Sequence, residues 1–136
     1  MKRAVIVFVA MIALMGITGC SLERKQDKVD KTAIDYTVVE DADVPEEFMS
    51  IIQGKKTEPF KITFSDKENL FIAIGYGEQP TGGYSITVEE IYQTPDTVEV
   101  KTQFAGPVKN EEVANSITYP YIVLKVENTD KTVKFL

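Results

Sequence analysis

From Phe60 onward, apolar residues recur at every second position in short runs, and that period confines the chain to β-structure. Phe60, Ile62 and Phe64 alternate with Lys61, Thr63 and Ser65. Tyr84, Ile86 and Val88 alternate with Ser85, Thr87 and Glu89, and Val98, Val100 and Phe104 stand opposite Glu99, Lys101 and Gln103. A half-buried strand requires this pattern because successive side chains point to opposite faces. Residues 70–76 are nearly continuous apolar sequence instead, which predicts a central strand covered on both faces. At Glu89-Glu90 the alternation slips before Ile91, which places a bulge or bend there. Asp66-Lys67-Glu68-Asn69 and Pro95-Asp96 supply turn chemistry, and 105–116, with Gly106, Pro107, Asn110 and Asn115, reads as a long loop. Strands at 117–126 and 132–136, joined across Asn128-Thr129-Asp130, complete the pattern.

Upstream, Ile34, Tyr36 and Val38 alternate with polar residues as a short strand. Residues 43–54 are predicted to be a helix. Asp43 with Glu46 resembles a capping box, Pro45 fits the first turn, Phe48, Ile51 and Ile52 share one face, and Gly54 offers a stop. Six or seven short strands and one helix, with no strand–helix alternation, exclude a parallel α/β arrangement. The expected fold is mainly β (α+β): an antiparallel sheet or small β-sandwich with one short N-terminal helix.

The first residues carry an address. Lys2 and Arg3 precede an apolar run, 4–16, that is too short to span a bilayer comfortably, and Ile17-Thr18-Gly19-Cys20 follows. The string resembles the lipobox of bacterial lipoprotein signal peptides, in which cleavage before the cysteine leaves a thiol that carries a diacylglycerol. The resemblance implies a signal peptide at 1–19, lipid attachment at Cys20, and a place on the extracytoplasmic side of a bacterial membrane. Residues 20–33 form the acylated cysteine and a charged, flexible tether, and 34–136 form a single β-rich domain. Removing 19 of 136 residues leaves 117, enough for one domain. Lys2 and Arg3 leave with the signal, so 13 basic residues face 21 acidic ones, a net charge of −8 that makes the chain a poor candidate for nucleic acid, and no nucleic-acid partner is expected.

Chemistry is restricted further. The chain has no histidine and a single cysteine, Cys20, so Ser-His-Asp and Cys-His nucleophile systems, the common zinc sites and disulfides are all excluded. None of the five serines lies in a nucleophile elbow, and no Asp-x-Asp-x-Asp-Gly calcium string occurs. Glu46-Glu47 and Glu111-Glu112 read as solvated charge, and Glu89-Glu90 points to opposite faces of a strand. No enzyme activity, metal or cofactor is expected.

Gly75-Tyr76-Gly77-Glu78-Gln79-Pro80-Thr81-Gly82-Gly83-Tyr84 stands apart, with four glycines, a proline and two tyrosines between apolar strands. It lacks the Lys-Ser/Thr ending of a phosphate-binding loop. Pro80 presets a turn, and Gly82-Gly83 permit positive φ or a close backbone approach. Two readings stand at this point: a strand connection that needs these torsions, or a rigid exposed loop with an aromatic shoulder, suited to protein recognition. Gly77 to Tyr84, followed by a strand and then by Tyr119-Pro120-Tyr121-Ile122-Val123, resembles the C-terminal domain of PrcB-like proteins. These are bacterial envelope lipoproteins named for assembly or stability of a surface protease complex. The resemblance covers about residues 60–136. It implies a non-catalytic subunit that binds an envelope protein, a surface protease among the candidates, through Gly77, Glu78, Gln79, Pro80, Thr81, Gly82, Gly83, Tyr84, Tyr119, Pro120 and Tyr121. Pro80-Thr81-Gly82-Gly83-Tyr84 is also similar to the Asn-Pro-Thr-Thr-Gly-Tyr loop of chagasin-type cysteine-protease inhibitors, whose Arg-Pro-Trp loop would correspond to Tyr119-Pro120-Tyr121. Here Gln79 replaces the Asn, a Gly replaces the second Thr, and the Trp is absent. A small-ligand-binding or structural envelope lipoprotein is the third reading.

Overall fold

The computed structural model describes residues 30–136, so the expected signal peptide, Cys20 and most of the expected tether lie outside the described residues. Eight strands form two four-stranded sheets. The first sheet has the order β1 (Thr32–Ala33), β5 (Ser85–Gln93), β6 (Thr97–Ala105), β8 (Thr132–Phe135). The second has the order β2 (Thr37–Val38), β7 (Tyr121–Glu127), β4 (Asn69–Tyr76), β3 (Pro59–Ser65). All neighbours pair antiparallel except β6 with β8. A mainly β fold with one helix among the described residues is thus what the alternating pattern predicted, and the sandwich is the form it takes.

The two sheets pack through Leu70, Ile72 and Ile74 of β4 and Leu124 and Val126 of β7, against Val98 and Val100 of β6. The opposite face of β4 and β7 is covered by the helix α1 (Glu46–Lys55), whose Phe48 and Ile52 are fully buried against Phe60, Phe71, Ala73 and Val123. β4 therefore has apolar neighbours on both faces, which is why its sequence abandons alternation. Phe48 stacks on Phe64 with ring centroids 5.2 Å apart. The slip at Glu89 is a bulge: the register of β5 on β6 shifts between Val88 and Glu90. No helix among the described residues is long and apolar enough to cross a membrane.

The structure departs from the sequence expectations at five places. The helix begins at Glu46 with Pro45 as its N-cap, and Asp43 makes no capping bond. A residue before proline is driven out of the helical region, so Val44 is extended (φ −80°, ψ 135°), and Asp43 closes a separate 3-10 turn, Asp41–Asp43. Ile51 lies on the exposed side of α1, while Val44 joins Phe48 and Ile52 at four-residue spacing. The helix also passes through Gly54 to end at Lys55. The expected strand 34–38 is split into β1 and β2, which belong to different sheets, so strand pairing starts at Thr32 and the chain crosses over between 33 and 37. Residues 128–131 likewise cross between sheets, because β8 runs parallel to β6 and leaves β7 unpaired with it.

Candidate functional site

The glycine-rich string carries the chain from β4 in one sheet to β5 in the other, and a second connection, 106–120, runs from β6 to β7 beside it. The two are bound together although neither contains a named strand. Gln79 N donates to Thr118 O at 2.8 Å and Thr118 N to Gln79 O at 3.0 Å, a single antiparallel rung. Gly82 N donates to Ala114 O at 2.9 Å, Thr118 Oγ1 to Thr81 O at 2.7 Å, and Tyr76 N to Pro120 O at 3.0 Å. Glu78 N reaches Thr57 O at 3.1 Å, which ties the string to the segment after α1. Backbone groups that a loop would leave to water are used here to brace it.

Two glycines are demanded by the fold. Gly77 has φ +81°, and a Cβ there would lie 3.0 Å from Pro59 Cδ. Gly83 has φ +87°, and its Cβ would come within 2.4 Å of Val113 Cγ1 and 3.0 Å of Pro107 Cβ. L side chains rarely adopt such a φ. Beneath the loops lies a ring stack: Tyr84 on Phe104 at 5.3 Å, and Phe104 on Tyr76 at 4.3 Å and nearly parallel. The Tyr76 hydroxyl is hydrogen-bonded to Thr102 Oγ1. Gly106 closes over the outer face of Tyr84, whose Cε1 is 3.2 Å from where a Cβ would sit. Tyr84 is thereby half-buried, a support under the loop more than a free aromatic surface.

The Gln79–Thr118 rung sets Pro80 beside Ile117 and Glu78 beside Tyr119. Tyr119 donates to Glu78 Oε1 at 3.4 Å, and Lys56 Nζ lies 4.8 Å from its ring centroid. Tyr121 is not part of this group. Its side chain turns to the helix side, where its hydroxyl donates to Asp41 Oδ1 at 2.7 Å and its ring lies 6.5 Å from that of Phe60. Burial first, then the Asp41 hydrogen bond and charge, push its pKa up to about 12. Of the sequence-predicted residues, 77–84, Tyr119 and Pro120 come together; Tyr121 is spent on holding α1 to the sheet.

Sequence reading missed Val108, Val113 and Ala114, which treating 105–116 as a polar loop concealed, and it placed Ile117 and Thr118 in a strand that begins only at Tyr121. The signal was present: isolated valines and an isoleucine in an otherwise polar stretch. Val113 packs under Gly83, while Val108 is 70% exposed and Ile117 56%. A hollow of about 490 Å³ opens elsewhere, among Ile34, Gln93, Val126 and Asn128. Its Lys131 ammonium is satisfied by Gln93 Oε1 and Thr94 O, each at 2.9 Å.

The described residues form a two-sheet β-sandwich with a helix on one face and two cross-braced loops at one end. Residues 70–127 match the family described as PrcB C-terminal, and over that span the chain is PrcB-like, as the string at 77–84 implied. An uncharacterized protein of Methanocaldococcus jannaschii is 33% identical over 76 residues, 56% of this chain and 45% of that protein. The chain thus spans less than half the length of that curated relative. No solved structure matches it.

Proposed function

We propose that this chain is a lipid-anchored, non-catalytic subunit that binds an envelope protein and supports the assembly of an envelope protease complex. One observation carries the reading: the loop pair 77–84 and 106–120 is rigidly braced by backbone hydrogen bonds yet leaves Pro80, Val108 and Ile117 facing solvent. Preorganised loops with exposed apolar residues lose little entropy on association, which suits recognition of a protein surface. The PrcB-like span supports a protease complex as the setting, and the lipobox-like string ending at Cys20 supports the anchor. Deleting the chain and resolving detergent-solubilised membranes on native gels tests this. A protease-containing assembly should lose mass or abundance and recover when the chain is restored; unchanged assemblies would defeat the reading.

A second reading follows from the same end of the molecule. The segments similar to the chagasin-type loops, 80–84 and 119–121, leave the Gln79–Thr118 rung in opposite directions, with 106–116 packed against the first. Titration of papain-like proteases with the purified chain decides it: inhibition by micromolar protein supports an inhibitor, and full residual activity removes it.

A further inference from the structure

The geometry points to a specific contact at this end: we infer that a protein segment of apolar side chains flanked by Lys or Arg docks across Gly82, between Val108 and Ile117. The inference rests on the binding-subunit reading and adds where the partner sits and what chemistry it presents.

Gly82 is the informative residue. Gly77 and Gly83 beside it are dictated by positive φ and by neighbours that a side chain would strike, but Gly82 is not. Its φ lies outside the left-handed range, and a Cβ would meet Ala114 at 3.7 Å, an ordinary contact. Alanine would fit the folded chain there, and would even restrict the unfolded one. A glycine with no internal demand leaves a bare stretch of main chain against which another chain can lie closely. Thr118, next to Ile117, bonds Thr81 before it, and Pro107, next to Val108, lies beside Gly83 after it; Val108 and Ile117 are the two most exposed large hydrophobic residues described, at 70% and 56%. Both belong to the connection that braces Gly82.

Charge selects the partner. The segments 77–84 and 105–118 carry Glu78, Glu111 and Glu112 against Lys109, with Lys56 reaching in over Tyr119. The acidic excess disfavours an anionic lipid surface and favours basic groups around an apolar centre. The strand direction agrees. β1, where the chain enters the domain, pairs with Gln93 at the far end of β5 from the loops. That strand of 9 residues sets the two ends on the order of 30 Å apart. The loops therefore lie at the end of the domain remote from its entry at Thr32.

Benzoylphenylalanine placed at Val108 or Ile117 in the full chain, photolysed in its own cells, tests the contact, with Gln103 on the outer face of the first sheet as control. Both loop positions should give adducts to one protein, and the mapped contact peptide should be apolar with Lys or Arg beside it. Gly82→Ala should lower adduct yield about tenfold, the scale of losing a central contact, without lowering the melting temperature. Ile117→Ser, a surface change, should do the same. Lipid adducts, an acidic contact peptide, or yields indifferent to Gly82→Ala would overturn the inference, as would a fall in melting temperature for that variant. Protein adducts only at Gln103 would overturn it while leaving the binding-subunit reading intact. No adduct at any position would remove both.

Discussion

At Gly83, a φ of +87° and a neighbour 2.4 Å from any added Cβ make a side chain costly twice over, by torsion and by collision with Val113. Gly83→Ala should therefore destabilise the domain by about 2 kcal/mol or more. Gly82→Ala, one residue earlier, should leave stability unchanged or raise it by up to about 1 kcal/mol. Urea unfolding of the two variants reads the difference directly, and equal losses would show that both positions are structural. Binding loss on replacing Gly83 would report a deformed loop, so Gly82 is the position that separates recognition from folding. Tyr121 gives a second residue-scale prediction. With its pKa raised to about 12 in the fold, from 10, folded and unfolded chains both keep the proton below about pH 10. Between about 10 and 12 only the folded chain keeps it, so stability falls as pH rises through that window. Tyr121→Phe should be less stable near neutrality by about 1 kcal/mol, for the lost bond to Asp41, and should lose less stability above pH 10. Parallel unfolding curves for the two proteins across that window would contradict the assignment.

At the scale of elements, α1 fully buries two side chains against the sheet, Phe48 and Ile52, with Met49 packed beside them. Ile52 is fully buried and Ile51 is 41% exposed, although both lie in the apolar stripe that the sequence presents. Ile52→Ala should cost about 2–5 kcal/mol, whereas Ile51→Ala should cost no more than about 0.5 kcal/mol. Denaturant midpoints distinguish the two, and similar values would mean that the helix sits differently. The distinction was illegible in sequence because a start at Asp43 or at Glu46 shifts no residue's spacing. It became decidable only once Pro45 had forced Val44 into extended backbone. Where period alone sets structure, the sequence was transparent: β3, β4 and β6 fall where alternation or its absence placed them, and the bulge sits at Glu89. Where pairing partners matter it was opaque, since nothing in Thr32–Val38 or in 128–131 tells which sheet a strand joins. The candidate site divides in the same way. The string 77–84 was visible by composition, but its bracing partners Ala114 and Thr118 come from 30 or more residues away. Tyr119 lies before β7 and stays with the loops, whereas Tyr121, the first residue of that strand, turns to the helix side.

At the scale of the whole molecule, the proposed anchor and the loop end make one arrangement. The domain begins at Thr32, so 11 residues, 21–31, separate Cys20 from the first strand and can extend over about 35 Å. With the proposed anchor in place, that reach would let the domain stand clear of headgroups. Such a tether is useful only if its first residue is held firmly. One acyl chain holds a protein marginally, and a second makes the attachment stable. Mass spectrometry of the membrane-bound protein should therefore find a chain that begins at Cys20 and carries a diacylglycerol. Cys20→Ala, which removes the only thiol, should shift the domain out of the membrane pellet with its fold intact. A membrane form that keeps residues 1–19, or a Cys20→Ala chain that stays in the pellet, would show that the apolar run itself holds the protein. The variant also separates address from recognition: a purified Cys20→Ala chain should still bind the partner through its loops, since those loops lie at the opposite end of β5 from the tether. Binding that vanished with the anchor would instead place the partner contact at the tether end.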